Sequence, residues 1–274
     1  MARIIVTSDL HLGITTEEEL RALAERMAAE QPDLTVLAGD IGEGLANVRD
    51  CLRLFEHLPG QVAVLMGNHD VWARGGNDSQ ELWDRLLPDA VRDAGMIWLE
   101  DATWRRDGVA VVGSMAWYDY TAVDPIVPPH TAEWFAVYKG KYNYDAHFIN
   151  WQWSDPAFAR MLGDALVERT QALEDDPDVA AVLLVTHVPI YRVQMFYKPG
   201  DLRWGTGSAY FGNMTIGERL LPLRKLRRVI SGHTHIGREG VVERPDQPPL
   251  LVWVIPSDYH TPVYLTVESS DLLE

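Results

Sequence analysis

Cysteine is nearly absent: Cys51 is the only one in 274 residues. No disulfide can form within the chain, and a reducing compartment fits. Long apolar runs are missing as well. The longest, such as Ala180 to Val185 and Leu250 to Ile255, fall far short of the ~18 residues a membrane helix needs. Met1-Ala2-Arg3 leads straight into a strand, without the apolar core and small-residue cleavage site of a signal peptide, so a cytoplasmic protein is expected. Positive charge is scarce. Lys and Arg number 24 against 40 Asp and Glu, for a formal net charge of -16. That balance argues against the basic surface that binding to double-stranded nucleic acid needs. A small phosphorylated substrate stays open, because bound metal ions dominate the field around themselves.

What is present suits a globular protein, with 47% hydrophobic and 23% charged residues. Ile4 to Val6, Leu34 to Ala38 and Val62 to Met66 read as buried strands. Between them lie two amphipathic helices, the first opened by the capping-box pair Thr16 and Glu19 and running to about Glu30, the second from about Leu45 to His57. Strand, helix, strand, helix, strand predicts βαβ units with parallel strands, and ligands gather at the carboxyl ends of such strands. Asp78 and Glu81 predict another helix start, and Asp107-Gly108 a hairpin turn. Further strands are expected around Val109 to Gly113, Val179 to Val185, Arg228 to Ser231, Leu250 to Ile255 and Val263 to Val267, with helices from Pro156 to Leu173 and Ile216 to Leu226. The whole chain, 1–274, reads as a single domain carrying an insertion at 116–160. Between Trp117 and Trp153 eleven residues are Trp, Tyr or Phe. Such rings form either a wall of a substrate pocket or a small core of their own. A long loop from Val188 to Gly212 carries Tyr191, Lys198 and Arg203, candidates for touching substrate.

Five polar blocks sit where strands end: Asp9-Leu10-His11, Gly39-Asp40, Gly67-Asn68-His69-Asp70, His187, and Gly232-His233-Thr234-His235. In extended backbone, residues two apart point the same way, so Asp9/His11 and His233/His235 can each offer both side chains to one site. With Asp40, Asn68 and His187 that makes seven nitrogen and oxygen donors. One divalent ion does not use so many, whereas two ions sharing a bridging carboxylate do. Donors of this kind without thiolate suit Mn, Fe, Zn or Co. His69 is a proton donor at neutral pH, and Asp70 a carboxylate able to orient it.

In this order the five blocks resemble the motif pattern of the calcineurin-like metallophosphoesterase superfamily. The resemblance implies an α/β fold, a four-layer α/β/β/α sandwich with mixed sheets, over Met1 to Gly113 and Ala180 to Val267. It implies that Asp9, His11 and His235 hold one metal, that Asn68, His187 and His233 hold the other, and that Asp40 bridges them. His69 would face the scissile phosphate with Asp70 as its partner. The implied reaction is hydrolysis of a phosphate ester by hydroxide lying between the ions, with His69 donating a proton.

Departures narrow the expectation. Ile41-Gly42-Glu43 follows Asp40 with no arginine, and the tetrapeptide ends in Asp70 where the protein serine/threonine phosphatases have glutamate. The pattern is closer to bacterial small-substrate members, including the class III cyclic nucleotide phosphodiesterases, and a small phosphodiester is the expected substrate. A phosphomonoesterase, a nuclease of the same superfamily, and a non-catalytic metal-binding scaffold are the alternatives. His57, His130, His147 and His260 match no motif, His260 in Ser257-Asp258-Tyr259-His260 being the one to follow.

Overall fold

The computed structural model describes residues 1–274. Four strands, β1 (Arg3–Thr7), β2 (Leu34–Ala38), β3 (Gln61–Leu65) and β4 (Ile97–Trp98), run parallel, and β11 (Tyr264–Glu268) joins β1 antiparallel at the edge. The second sheet has parallel β6 (Val109–Ser114), β7 (Ala181–Thr186), β8 (Leu226–Ser231) and β10 (Leu250–Val254) in that order. Its antiparallel edges are β5 (Trp104–Arg106) and β9 (Arg238–Val242).

Side-chain alternation builds the layers. Ile4 and Val6 of β1 face the space between the sheets, where they share a core with Val36, Leu65, Val111, Leu183 and Val185. Ile5 faces the other way, against Leu20, Leu23 and Phe55 of the helices α1 (Glu17–Ala29) and α2 (Gly44–Phe55). On the second sheet Ala110 and Val112 point outward onto Leu166 of the helix Asp155–Glu174 and Ile216 and Leu220 of the helix Met214–Leu220. The result is the mixed-sheet α/β/β/α sandwich. Local signals behave as their chemistry dictates. Thr16 and Glu19 close a capping box, and Asp107 and Gly108 both adopt positive φ, 51° and 78°, as a tight hairpin between β5 and β6 needs.

Three expectations change. The helix that begins at Met214 stops at Leu220 rather than Leu226. Pro222 cannot continue it, and Leu226 already starts β8. The segment 188–212 is not a bare loop, because Asp201 caps a short helix, Leu202–Gly207. The aromatic segment forms no core of its own: Trp117, Tyr118, Tyr120, Phe135 and Phe158 belong to the same 33-residue cluster as α1 and α2. No helix is long and apolar enough to cross a membrane.

Candidate metal centre

The five blocks meet at the carboxyl ends of β1, β2, β3, β7 and β8. Donor atoms of Asp9, His11 and His235, of His11, Asp40 and His69, and of Asp40, His187 and His233 lie within 4.8 Å of one another in each trio. The two carboxylate oxygens of Asp40 face opposite ways, Oδ2 3.6 Å from His11 Nε2 and Oδ1 3.4 Å from His187 Nε2. Beyond them, His11 Nε2 lies 3.2 Å from His235 Nε2, which is itself 3.7 Å from Asp9 Oδ1. On the other side His187 Nε2 lies 3.2 Å from Asn68 Oδ1.

The backbone that aims these groups is not extended. Asp9, His11, Asp40, His233 and His235 all have positive φ, between 43° and 70°. Each such residue costs roughly 1–3 kcal/mol unless its surroundings hold it there. Here the carboxylate of Asp9 accepts the His233 backbone N–H at 2.9 and 3.1 Å, tying the first block to the last. Asp9 and His11 therefore share a site through tight turns at the strand end, not through the two-residue period of a strand.

Asp70 does something other than orient His69. Its carboxylate accepts the backbone N–H groups of Gly67 (2.7 Å), Asp40 (2.9 Å) and Gly42 (2.9 Å), locking the turn after β3 to the turn after β2. Burial pushes it up to about 7, with the nearby Asp40 charge adding and the backbone donors opposing. The group beside His69 Nδ1 is Glu43, at 3.5 Å, and Glu43 also meets Arg74 at 3.0 Å. The nearby His69 imidazole is the largest effect holding Glu43 below the usual carboxylate range. Burial opposes charge on His69, but Asp40 and Glu43 outweigh it and raise it. Its ring stacks on Trp72 at 3.8 Å, and Arg74 lies 5.2 Å from the Trp72 ring centre. Glu43 and Arg74 were not singled out from sequence. An acid three residues after Asp40, past a strand end, was the available signal for the first; nothing local marks the second.

Of the loop candidates, Tyr191 is buried in the outer core of the second sheet, away from the cluster. Lys198 lies over the Trp204 ring at 3.8 Å, and Arg203 reaches the Lys141 carbonyl. None of the three is among the converging donors. Tyr259 is a neighbour that sequence missed: its ring lies 5.1 Å from that of His11 and 5.0 Å from that of His235. His260 next to it turns away to Glu19, 3.2 Å off.

Partners at the far ring nitrogens decide where lone pairs point. His187 Nδ1 lies 3.0 Å from the Ala38 carbonyl, which only an N–H satisfies, so Nε2, facing Asp40 and Asn68, is the nitrogen that would give up its proton to bind an ion. His233 Nε2 likewise meets the Tyr210 carbonyl at 3.1 Å, and its buried Nδ1 has no partner. Burial lowers His11 to about 3 and His233 to about 4, so both rings are neutral. His187 is raised to about 9, burial being outweighed by Asp40 and Asp9. Neutral rings, carboxylates and an amide oxygen facing one another fit divalent cations, whose binding would displace the proton that His187 otherwise holds against Asp40, and the nitrogen and oxygen set without thiolate suits transition metals.

Comparison with known proteins agrees with this geometry. No curated protein sequence matches the chain. Among solved structures, the phosphopantetheinyl hydrolase from Mycobacterium tuberculosis is 20% identical, with 94% of this chain and 89% of that one covered at a TM-score of 0.70. The protein TT1561 of Thermus thermophilus is 14% identical over 94% and 90% of the two chains, with a TM-score of 0.51. Both likenesses establish the fold. The family profile described as calcineurin-like phosphoesterase matches residues 2–237. The chain belongs to the calcineurin-like phosphoesterase family, metal-dependent hydrolases of phosphorylated substrates that work with a dinuclear divalent metal centre.

Proposed function

We propose that the protein hydrolyses a small phosphodiester. In this reading Asp9, His11 and His235 hold one divalent ion, Asn68, His187 and His233 the other, and Asp40 both. When bound, the ions neutralise the phosphoryl oxygens and supply hydroxide at neutral pH. The chain's own residues supply the rest. Asp9 and Asp70, through their backbone bonds, hold the turns that carry the donors. His69, stacked on Trp72 and paired with Glu43, lies with Nε2 3.9 Å from Asp40 Oδ2, and in this reading donates the proton that a leaving alkoxide needs.

The observation that carries the diester reading is the state of Arg74, the cation at the His69 edge. Its guanidinium is already paired with Glu43 and lies over the Phe148 ring at 4.7 Å. A monoester dianion gains most from a free cation beyond the metals, whereas a diester carries one charge fewer and a leaving group that needs a proton. With Mn(II), catalytic efficiency on bis-(p-nitrophenyl) phosphate should exceed that on p-nitrophenyl phosphate at least several-fold. The reverse ranking would make the protein a phosphomonoesterase.

A further inference from the structure

The aromatic segment reaches the metal centre through one buried carboxylate. Asp145 Oδ1 accepts the Asn68 amide (Nδ2, 2.9 Å) and the Trp72 indole (Nε1, 2.8 Å), while Oδ2 accepts the Tyr118 hydroxyl at 2.7 Å. An asparagine side chain has one oxygen and one nitrogen, and the choice of which faces a cation is set by what the other meets. A carboxylate accepts and never donates, so Asp145 takes the amide nitrogen and leaves Asn68 Oδ1 pointing at His187. A neutral acceptor in its place would hold that orientation less firmly, because the charged bond is the stronger one.

The same oxygen fixes Trp72, the ring on which His69 stacks, and Phe148 stacks on the other side of Trp72 at 4.4 Å. Backbone stitching keeps this short helix, Asp145–Phe148, against the turn after β3. Ala73 N donates to Phe148 O (2.8 Å), and Ser79 N donates to Asn150 Oδ1 (2.7 Å). The segment thus supports the centre through Asn68 and Trp72.

We infer that Asp145 is a positioning residue for the metal site formed by Asn68, His187 and His233. The inference rests on the reading of Asn68 as a ligand. The test is titration of the metal-stripped full chain with Mn(II) alone, by calorimetry or competition with a chelating dye. Asp145→Ala should weaken one of the two ions about 10- to 100-fold, as loss of an outer-shell partner does, and leave the other within about twofold. Asp145→Asn, nearly the same in volume and keeping one acceptor oxygen, should weaken the same ion at least about threefold and decides the matter should the alanine variant not fold. Tyr118→Phe removes a bond from the same carboxylate without touching Asn68 and should leave both ions within about twofold. Asn68→Ala separates the two ideas. Should Asn68→Ala weaken one ion while a folded Asp145→Asn binds both as the parent does, Asp145 is structural only and the inference falls. Should Asn68→Ala itself change neither ion, the ligand reading falls and the inference with it.

Discussion

The two sides of the centre are built differently. On the Asn68 side every polar atom pointing away from the cluster is held: His187 by the Ala38 carbonyl, His233 by the Tyr210 carbonyl, Asn68 by Asp145. On the Asp9 side the far nitrogens of His11 and His235 have no hydrogen bond. His235 Nδ1 comes only within 3.4 Å of Asp258, in a solvent-facing turn. His187 is fully buried, whereas the His235 side chain is 19% exposed. A ring whose tautomer and tilt are fixed in advance loses little freedom when it binds an ion, and one without a partner loses more. The first side is therefore built for retention. The second, with Tyr259 beside it, is fixed less fully in advance.

The largest test removes what the two sides share. Asp40→Asn keeps the shape but leaves no carboxylate between His11 and His187. Metal content should drop by more than one ion per chain, and turnover by more than the ~10²-fold that loss of an outer-shell partner costs. Loss of a single ion would place Asp40 on one side only.

A smaller effect is expected where chemistry, not metal, is removed. His69→Ala should lower turnover ~10²- to 10⁴-fold, the range for a general acid, with metal content unchanged on both sides. Glu43→Gln should act in the same direction and less strongly, since it touches His69 and not the cluster. Parent-like rates for His69→Ala on every ester tried would take the imidazole out of the reaction. Loss of metal in that variant would instead make it a ligand.

How far the sequence foretold this division depends on distance along the chain. The apolar runs of β1, β2 and β3, the Thr16–Glu19 box and the Asp107-Gly108 turn are local, and all form as their composition implies. The five motif blocks announced which residues converge, because each block is short and stands at a strand end. What stayed hidden was how they are held. Left-handed backbone at Asp9 and His11 is written in a turn's closure rather than in its composition. Asp70 and Glu43 compete for one apparent task, orienting His69, and only the fold shows the first turned inward to three backbone N–H groups. Asp145 lies 77 positions from Asn68, a pairing no spacing rule reaches.

The smallest expected effect tests how the support behind the Asn68 side is fastened. At the entry of the aromatic segment, the backbone N–H of Met115 donates to the carboxyl of Glu100, just after β4. Arg169 nearby spends its guanidinium on the carbonyls of Leu99, Ala102 and Gly113 at 2.8 to 3.0 Å. Burial pushes Glu100 up to about 7 from 4.5, with the Met115 bond and the Arg169 charge only partly opposing. The sign follows from proton linkage. Between those two values the folded chain binds the proton more tightly than the unfolded one, so stability is fully present below about 4.5 and declines as pH rises through about 7. Glu100→Gln keeps an acceptor for Met115 and does not titrate. The stability of the parent relative to this variant, from urea unfolding at fixed metal concentration, should fall by on the order of 2–3 kcal/mol between pH 5 and pH 8. Metal binding changes with pH in both proteins and cancels in the difference. A flat difference would mean that water reaches the carboxyl, and that the segment is held to the sheet by Arg169 and packing without help from Glu100.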